Sequence, residues 1–201
     1  MKRVAFGFRV HTGWAALVAV QGPASLDSPV ILDRRRVEMM EGGNPDAPAF
    51  VYHAAAKLPL KSAGQLVQRA AELAKSRASA ALESAMRELS QAGHTVVASG
   101  IVAGKRPAAL PSLERILAAH SLIHSAEGEL YRQAVIAASE GLQLSVTTVP
   151  AGELYSRASK TLGQPVDWIQ RRLAEMARLV GAPWTVDQKE GLLAALLALA
   201  G

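Results

Sequence analysis

His120, His124 and Glu127 fall at i, i+4 and i+7, so a continuous helix would carry all three on one face. Two imidazoles and a carboxylate at that spacing suit zinc or another divalent ion, and one imidazole could serve as a general base. The same residues have a second reading. The neighbouring stripe is apolar, His120 falls between Leu117 and Ile123, and a partly buried, hydrogen-bonded histidine would satisfy the pattern equally. A cap at Ser125 and the glycine at 128 predict a kink or break near His124, which would separate the three groups.

Two groups of cations could contact phosphates: Arg34-Arg35-Arg36, and the set Arg157, Lys160, Arg171 and Arg172. The alternative is solvated strand and helix faces, on which edge charges discourage strand pairing between molecules. That alternative is favoured for the arginine triplet. The chain has only three Trp, three Tyr and three Phe, which disfavours a platform for stacking single-stranded bases. Trp14, Trp168 and Trp184 are expected in the core or at an interface. Gly100 to Arg106 lacks the spacing of a phosphate-binding loop, and Pro107 stands where its helix should begin. No Gly-x-Ser-x-Gly elbow, Cys–His pair or dinucleotide fingerprint occurs.

Half of the 201 residues are apolar and they are spread along the chain, so a sizeable core can be buried. Cysteine is absent, which excludes disulfides and thiolate metal sites and agrees with a reducing, cytoplasmic setting. The formal charge is +5 and the isoelectric point near 9.8, compatible with a polyanionic partner, DNA rather than RNA. Met1-Lys2-Arg3 precedes an apolar run that Arg9 and His11 interrupt, so no secretion signal is expected. Leu192 to Ala200 is apolar but far shorter than the roughly 20 residues that cross a bilayer, and reads as a buried terminal helix.

The elements that must position these groups follow from periodicity. Val4 to Val20 alternates, and Thr12-Gly13 divides it into two antiparallel strands joined by a tight turn. Val30 to Met39 gives a third strand, and Glu41 to Pro48 a loop. Ser62 and Gln65 have capping-box spacing ahead of a helix that runs to Gly93. His94 to Val102 is a buried strand, Ser112 to Gly141 is helical, and Leu142 to Val149 alternates as a fifth strand. Helices over Pro165 to Val180 and Thr185 to Ala200 complete the chain. Thr185 and Gln188 form another capping box, and the acids Asp187 and Glu190 in that first turn complement the helix dipole. A meander followed by strand–helix–strand units implies parallel pairing through right-handed crossovers, in one domain over 1–201.

This order of elements resembles the ribonuclease H-like superfamily, and three stretches sharpen the likeness toward Holliday-junction resolvases of the RuvC type. Gly7-Phe8-Arg9 with Thr12-Gly13-Trp14-Ala15 is similar to the family's opening strand and the turn after it. Val149-Pro150 through Lys160 and Gly163 looks like its fifth strand, proline exit and Lys-x-x-Gly loop. Asp187-Gln188-Lys189-Glu190-Gly191-Leu192 resembles its closing Asp-x-x-Asp-Ala-Leu motif. The resemblance implies an α/β fold with a five-stranded mixed sheet, a three-strand antiparallel meander followed by parallel strands, flanked by helices. It also implies nucleic acid as a partner and a homodimer as the assembly.

Nucleases of this fold hold two divalent metals on clustered carboxylates, because hard cations such as magnesium or manganese take oxygen ligands. The family pattern has one acid on the first strand, one on the central strand and two on the last helix. Carried over, these positions fall on Arg9, on Ser99 or Gly100, and on Asp187 and Glu190. Only the last two are acidic. The expectation is a resolvase-like protein without the family's nuclease activity and without a required cofactor, acting as a nucleic-acid-binding or scaffolding module. The alternatives are a metal-dependent nuclease with a rebuilt centre, on Asp187 and Glu190 or on His120, His124 and Glu127, and a homodimeric interaction domain.

Overall fold

Strand β1 (Lys2–His11) turns at Thr12-Gly13 into β2 (Trp14–Gln21), and β3 (Val30–Glu38) returns along β2. The turn is two residues long because His11 pairs with Trp14, and Gly13 takes the positive φ of +83° that such a reversal requires. Strand β4 (His94–Ala103) lies parallel to β1, and β5 (Ser145–Pro150) parallel to β4. The sheet order is β3-β2-β1-β4-β5, the meander and parallel strands expected from the sequence. A computed structural model of the protein describes residues 1–40, 48–104 and 110–201. The loop expected over Glu41 to Pro48 therefore lies almost wholly outside the described residues, as do Lys105, Arg106 and Pro107.

One face of the sheet carries α1 (Val51–Ala55), α2 (Leu60–Gln91), α3 (Leu113–Leu117) and α4 (His120–Gly141). The long α2 buries Ala63, Leu66, Ala70, Ala74, Ala78, Leu82, Ala85 and Leu89 at three- and four-residue spacing. It begins at Leu60, two residues before the expected cap at Ser62. Pro59, in an extended conformation, already supplies the carbonyl that Ala63 N–H reaches at 2.9 Å, so the serine hydroxyl is not needed as a terminus.

The second half of the chain departs from expectation at two breaks. The helix expected from Ser112 parts at Ala118–Ala119, where Ala119 is extended, and not near His124. Ser125 does not cap; its hydroxyl donates back to the Ser121 carbonyl at 3.0 Å, a bond that leaves the helix running. Lys160 to Gly163, likened to a loop, is instead the end of a helix, α5 (Leu154–Leu162), closed by Gly163 in the left-handed conformation. The helix expected over Pro165 to Val180 divides into α6 (Val166–Glu175) and α7 (Ala177–Val180).

The opposite face is organised by the terminal helix, α8 (Val186–Ala200), whose residues Gly191 to Ala198 are all buried. The expected capping box is present, with Gln188 N–H donating to Thr185 Oγ1 at 3.3 Å and Thr185 N–H to Gln188 Oε1 at 3.2 Å. α8 rests backbone to backbone on the sheet. A Cβ at Gly7 would lie 1.8 Å from the Gly191 carbonyl oxygen, and one at Gly100 only 1.9 Å from that of Ala194. Among the described residues, no helix is long and apolar enough to cross a membrane.

Gly7→Ala or Gly100→Ala must push α8 off the sheet, because the obstructing atoms are backbone and cannot rotate away. Either change is expected to lower unfolding free energy by about 3 kcal/mol in urea melts.

Candidate functional site

Because α8 sits so close to β1, the first turn of the helix meets the end of that strand. Alternation along β1 sends Gly7, Arg9 and His11 toward α8. Arg9 Nε lies 3.0 Å from Glu190 Oε2, and His11 Nε2 lies 2.9 Å from Asp187 Oδ1. These side chains are partly shielded, Arg9 being 27% and Glu190 17% exposed. The Arg9 approach is off the N–H axis, so Glu190 Oε2 is buried in a charge contact without a directed hydrogen bond among the described residues. Burial and the nearby Glu190 carboxylate raise the pKa of the Tyr155 phenol on α5.

The row continues across the meander. The His11 ring stacks on Trp14, with centroids 4.3 Å apart and planes 12° from parallel, and the Arg36 guanidinium covers the indole at 3.8 Å. Arg36 also pairs with Glu38. Trp14 is thus sandwiched between an imidazole and a guanidinium and is only partly buried. The sequence singled out Arg9, Asp187 and Glu190 and missed His11. Its two-residue offset from Arg9 on a strand was the available signal.

Ser99 does not join this group. It pairs in register with Phe6 and shares its face, pointing away from α8, and its buried hydroxyl has no hydrogen-bond partner among the described residues. Gly100 faces α8 but lies against the Ala194 backbone, with no room for a side chain. The residue of β4 level with Arg9 and on its face is Val102, buried and apolar. The group therefore has two carboxylates, one guanidinium and one imidazole. A two-metal cage needs its oxygens free and clustered, whereas here Glu190 faces a guanidinium and Asp187 an imidazole. These residues do not fit two hard cations.

The expected phosphate contacts divide. Arg157 and Lys160 are exposed on α5 and border one cleft of about 320 Å³ with Thr147 and Thr161. Arg157 also pairs with Glu153 at 2.8 Å. Arg171 is exposed. Arg172 is a strut: its guanidinium donates to the carbonyls of Leu26 at 2.9 Å and Asp27 at 2.6 Å, tying α6 to the segment after β2. The arginine triplet is likewise structural and not merely a solvated edge. Arg34 donates to the carbonyls of Val180 and Pro183 at the end of α7, and Arg35 pairs with Asp33 and Glu88. Trp168 is partly buried against the α8-side core, and Trp184 donates its indole N–H to the Leu173 carbonyl at 2.7 Å.

A second cluster lies on the other face of the sheet. His120 and His124 are exposed on the unbroken α4, and His53 reaches them from α1. One ring nitrogen from each of the three comes within 4.8 Å of the others. Glu127 is not one of the converging groups. It is 1% exposed, and its Oε1 accepts from His53 Nδ1 at 3.0 Å and from His53 N–H at 3.3 Å. Burial foremost, and then the Glu127 carboxylate, raises the pKa of the Tyr52 and Tyr131 phenols. His53 could not be found from local spacing, because it lies on a different helix.

No known family model matches the chain, and no curated protein sequence does. Solved structures do. RuvC of T. thermophilus in complex with a Holliday-junction substrate superposes with a TM-score of 0.53 at 12% identity, over 97% of this chain and 91% of that one. A second Thermus thermophilus RuvC structure gives 0.52 at 14% identity, over 96% and 92%. The fold is ribonuclease H-like. In this ribonuclease H-like sheet the Arg9–Glu190 and His11–Asp187 pairs stand where α8 crosses the ends of the central strands, and the histidine cluster is on the side away from α8.

Two measurements check these environments. All three tyrosines of the chain, Tyr52, Tyr131 and Tyr155, have raised pKa values. A group that ionises later when folded contributes stability below its unfolded pKa of about 10 and loses it as pH rises further. Phenolate absorbance should therefore emerge above the ordinary tyrosine range, together with a fall in stability. A double-mutant cycle of Arg9→Met and Glu190→Gln should show coupling of about 1 kcal/mol, modest because both groups retain contact with solvent.

Proposed function

We propose that this chain is a nucleic-acid-binding or scaffolding module built on a resolvase fold, and that it does not cut phosphodiesters by the two-metal route. The observation that carries the proposal is Arg9, a fixed cation 3.0 Å from Glu190 at the position where the family resemblance expects a metal-binding acid. A guanidinium stays charged at all accessible pH values, so it occupies the role of counter-ion to Glu190 permanently. Val102 beside it adds no oxygen ligand, and Asp187 is engaged by His11.

Binding of DNA is supported by the excess of five positive charges and by the exposed Arg157, Lys160 and Arg171. The resolvase of similar fold was solved on a Holliday-junction substrate, which makes branched DNA the first ligand to test. Cations on α5 would contact backbone phosphates and give affinity that falls steeply with salt.

Fluorescence anisotropy with labelled four-way junction, duplex and single strand tests the binding. Saturable, salt-sensitive binding of junction or duplex is expected, with no cleavage in magnesium or manganese. Arg157→Glu with Lys160→Glu should weaken binding tenfold or more and make the salt slope shallower by about two phosphate contacts. Metal-dependent cleavage that disappears with Glu190→Ala would overturn the non-cleaving reading. Loss of all binding at low salt would leave the scaffolding role alone.

A further inference from the structure

We infer that His53, His120 and His124 form a binding site for one zinc-type divalent ion, with Glu127 as the carboxylate that orients His53. The site is independent of the Arg9–Glu190 group and does not rest on the reading given to it. Three observations converge on it.

The first is the geometry of the rings. Centroids are 5.3 Å apart for His53 and His120, 4.8 Å for His53 and His124, and 4.5 Å for His120 and His124. Interplanar angles of 83°, 63° and 89° show rings set edge to face and not stacked. Nitrogens sharing a tetrahedral zinc lie about 3.3 Å apart. The three here are within 4.8 Å, and small rotations of the exposed His120 and His124 side chains close the difference.

The second is the hydrogen bond behind His53. A histidine that ligates metal through one nitrogen characteristically gives its other N–H to a carboxylate, which fixes the tautomer and turns the free lone pair toward the ion. Glu127 accepts from Nδ1 at 3.0 Å and from the backbone N–H of the same residue at 3.3 Å, so His53 is held from two directions and Nε2 is the nitrogen left for an ion. The third is charge. Glu127 is a carboxylate 1% exposed, and its described hydrogen bonds all come from His53. A buried carboxylate depends on the hydrogen bonds it accepts, and a metal on the other edge of the same imidazole strengthens the Nδ1–H given to it.

The ligand type selects the ion. Imidazole nitrogens favour zinc, copper, nickel or cobalt, whereas magnesium and calcium require oxygens. Three protein ligands at an exposed position leave the fourth coordination site open to water or an oxygen of a bound anion.

The test uses the full chain, stripped with a chelator and titrated with zinc chloride by calorimetry, then with cobalt(II) followed by visible absorption. One equivalent of zinc with submicromolar affinity, an intense tetrahedral cobalt spectrum and no response to magnesium are expected. His120→Ala and His124→Ala each change an exposed residue and should keep the circular dichroism and thermal midpoint of the metal-free protein, while affinity falls at least a hundredfold. Glu127→Gln should weaken binding by 10- to 100-fold. Proton NMR of the unaltered protein gives a readout that needs no variant: the imidazole signals of His53, His120 and His124 should shift on zinc addition, and those of His11 and His94 should not. Failure to bind one equivalent would overturn the site, as would undiminished affinity in His124→Ala or shifts confined to other histidines.

Discussion

The contact on which this structure most depends is between two stretches of backbone. Helix α8 crosses β1 and β4 so closely that Gly7, Gly100 and Gly191 leave no volume for side chains between the layers. Helices normally pack on sheets with a full layer of side chains between them, so the direct approach brings α8 several ångströms nearer. A short-range charge contact then becomes available to residues that would otherwise be out of reach. Arg9 finds Glu190 and His11 finds Asp187 because the glycines allow the helix to come down. The apolar remainder of α8, buried along Gly191 to Ala198, holds it there.

Much of this was legible from the residues. Period-two alternation, the Thr12-Gly13 turn and the glycine after α2 located the strands, because each of those signals acts over only a few residues. The Thr185–Gln188 capping box was equally local and holds as read. Local signals fail where tertiary contact chooses among local options. Ser62 could have capped a helix, yet Pro59 had already begun one; Ser125 could have broken one, yet its hydroxyl bonded within the turn. The facing of Ser99 depends on register with β1, which includes a bulge between Val4 and Ala5 that no local pattern announces. His53 joins His120 and His124 only through packing between α1 and α4, so spacing along the chain could not assemble the triad.

The sheet separates two polar groups of different character. On the α8 side, Glu190 faces the Arg9 guanidinium and Asp187 the His11 imidazole, and the stack from His11 through Trp14 to Arg36 carries the row toward the sheet edge. On the other side, three imidazoles meet beside a buried acid, Glu127, whose ion-pair partner among the described residues is His53. The first arrangement already holds a fixed cation, the Arg9 guanidinium. The second is open to one.

The length of α2 has a mechanical consequence. Its 32 residues extend about 48 Å, whereas the ten residues of β4 beside it cover about 33 Å. Since the helix ends where β4 begins, its early turns reach beyond that strand's length, where a Cβ on Gly64 would lie 3.6 Å from Leu113 Cδ2 of α3. Helices α1 and α3 pack against α2 and α4 there, so the position of His53 is set by helix-to-helix contact and by Glu127 behind it.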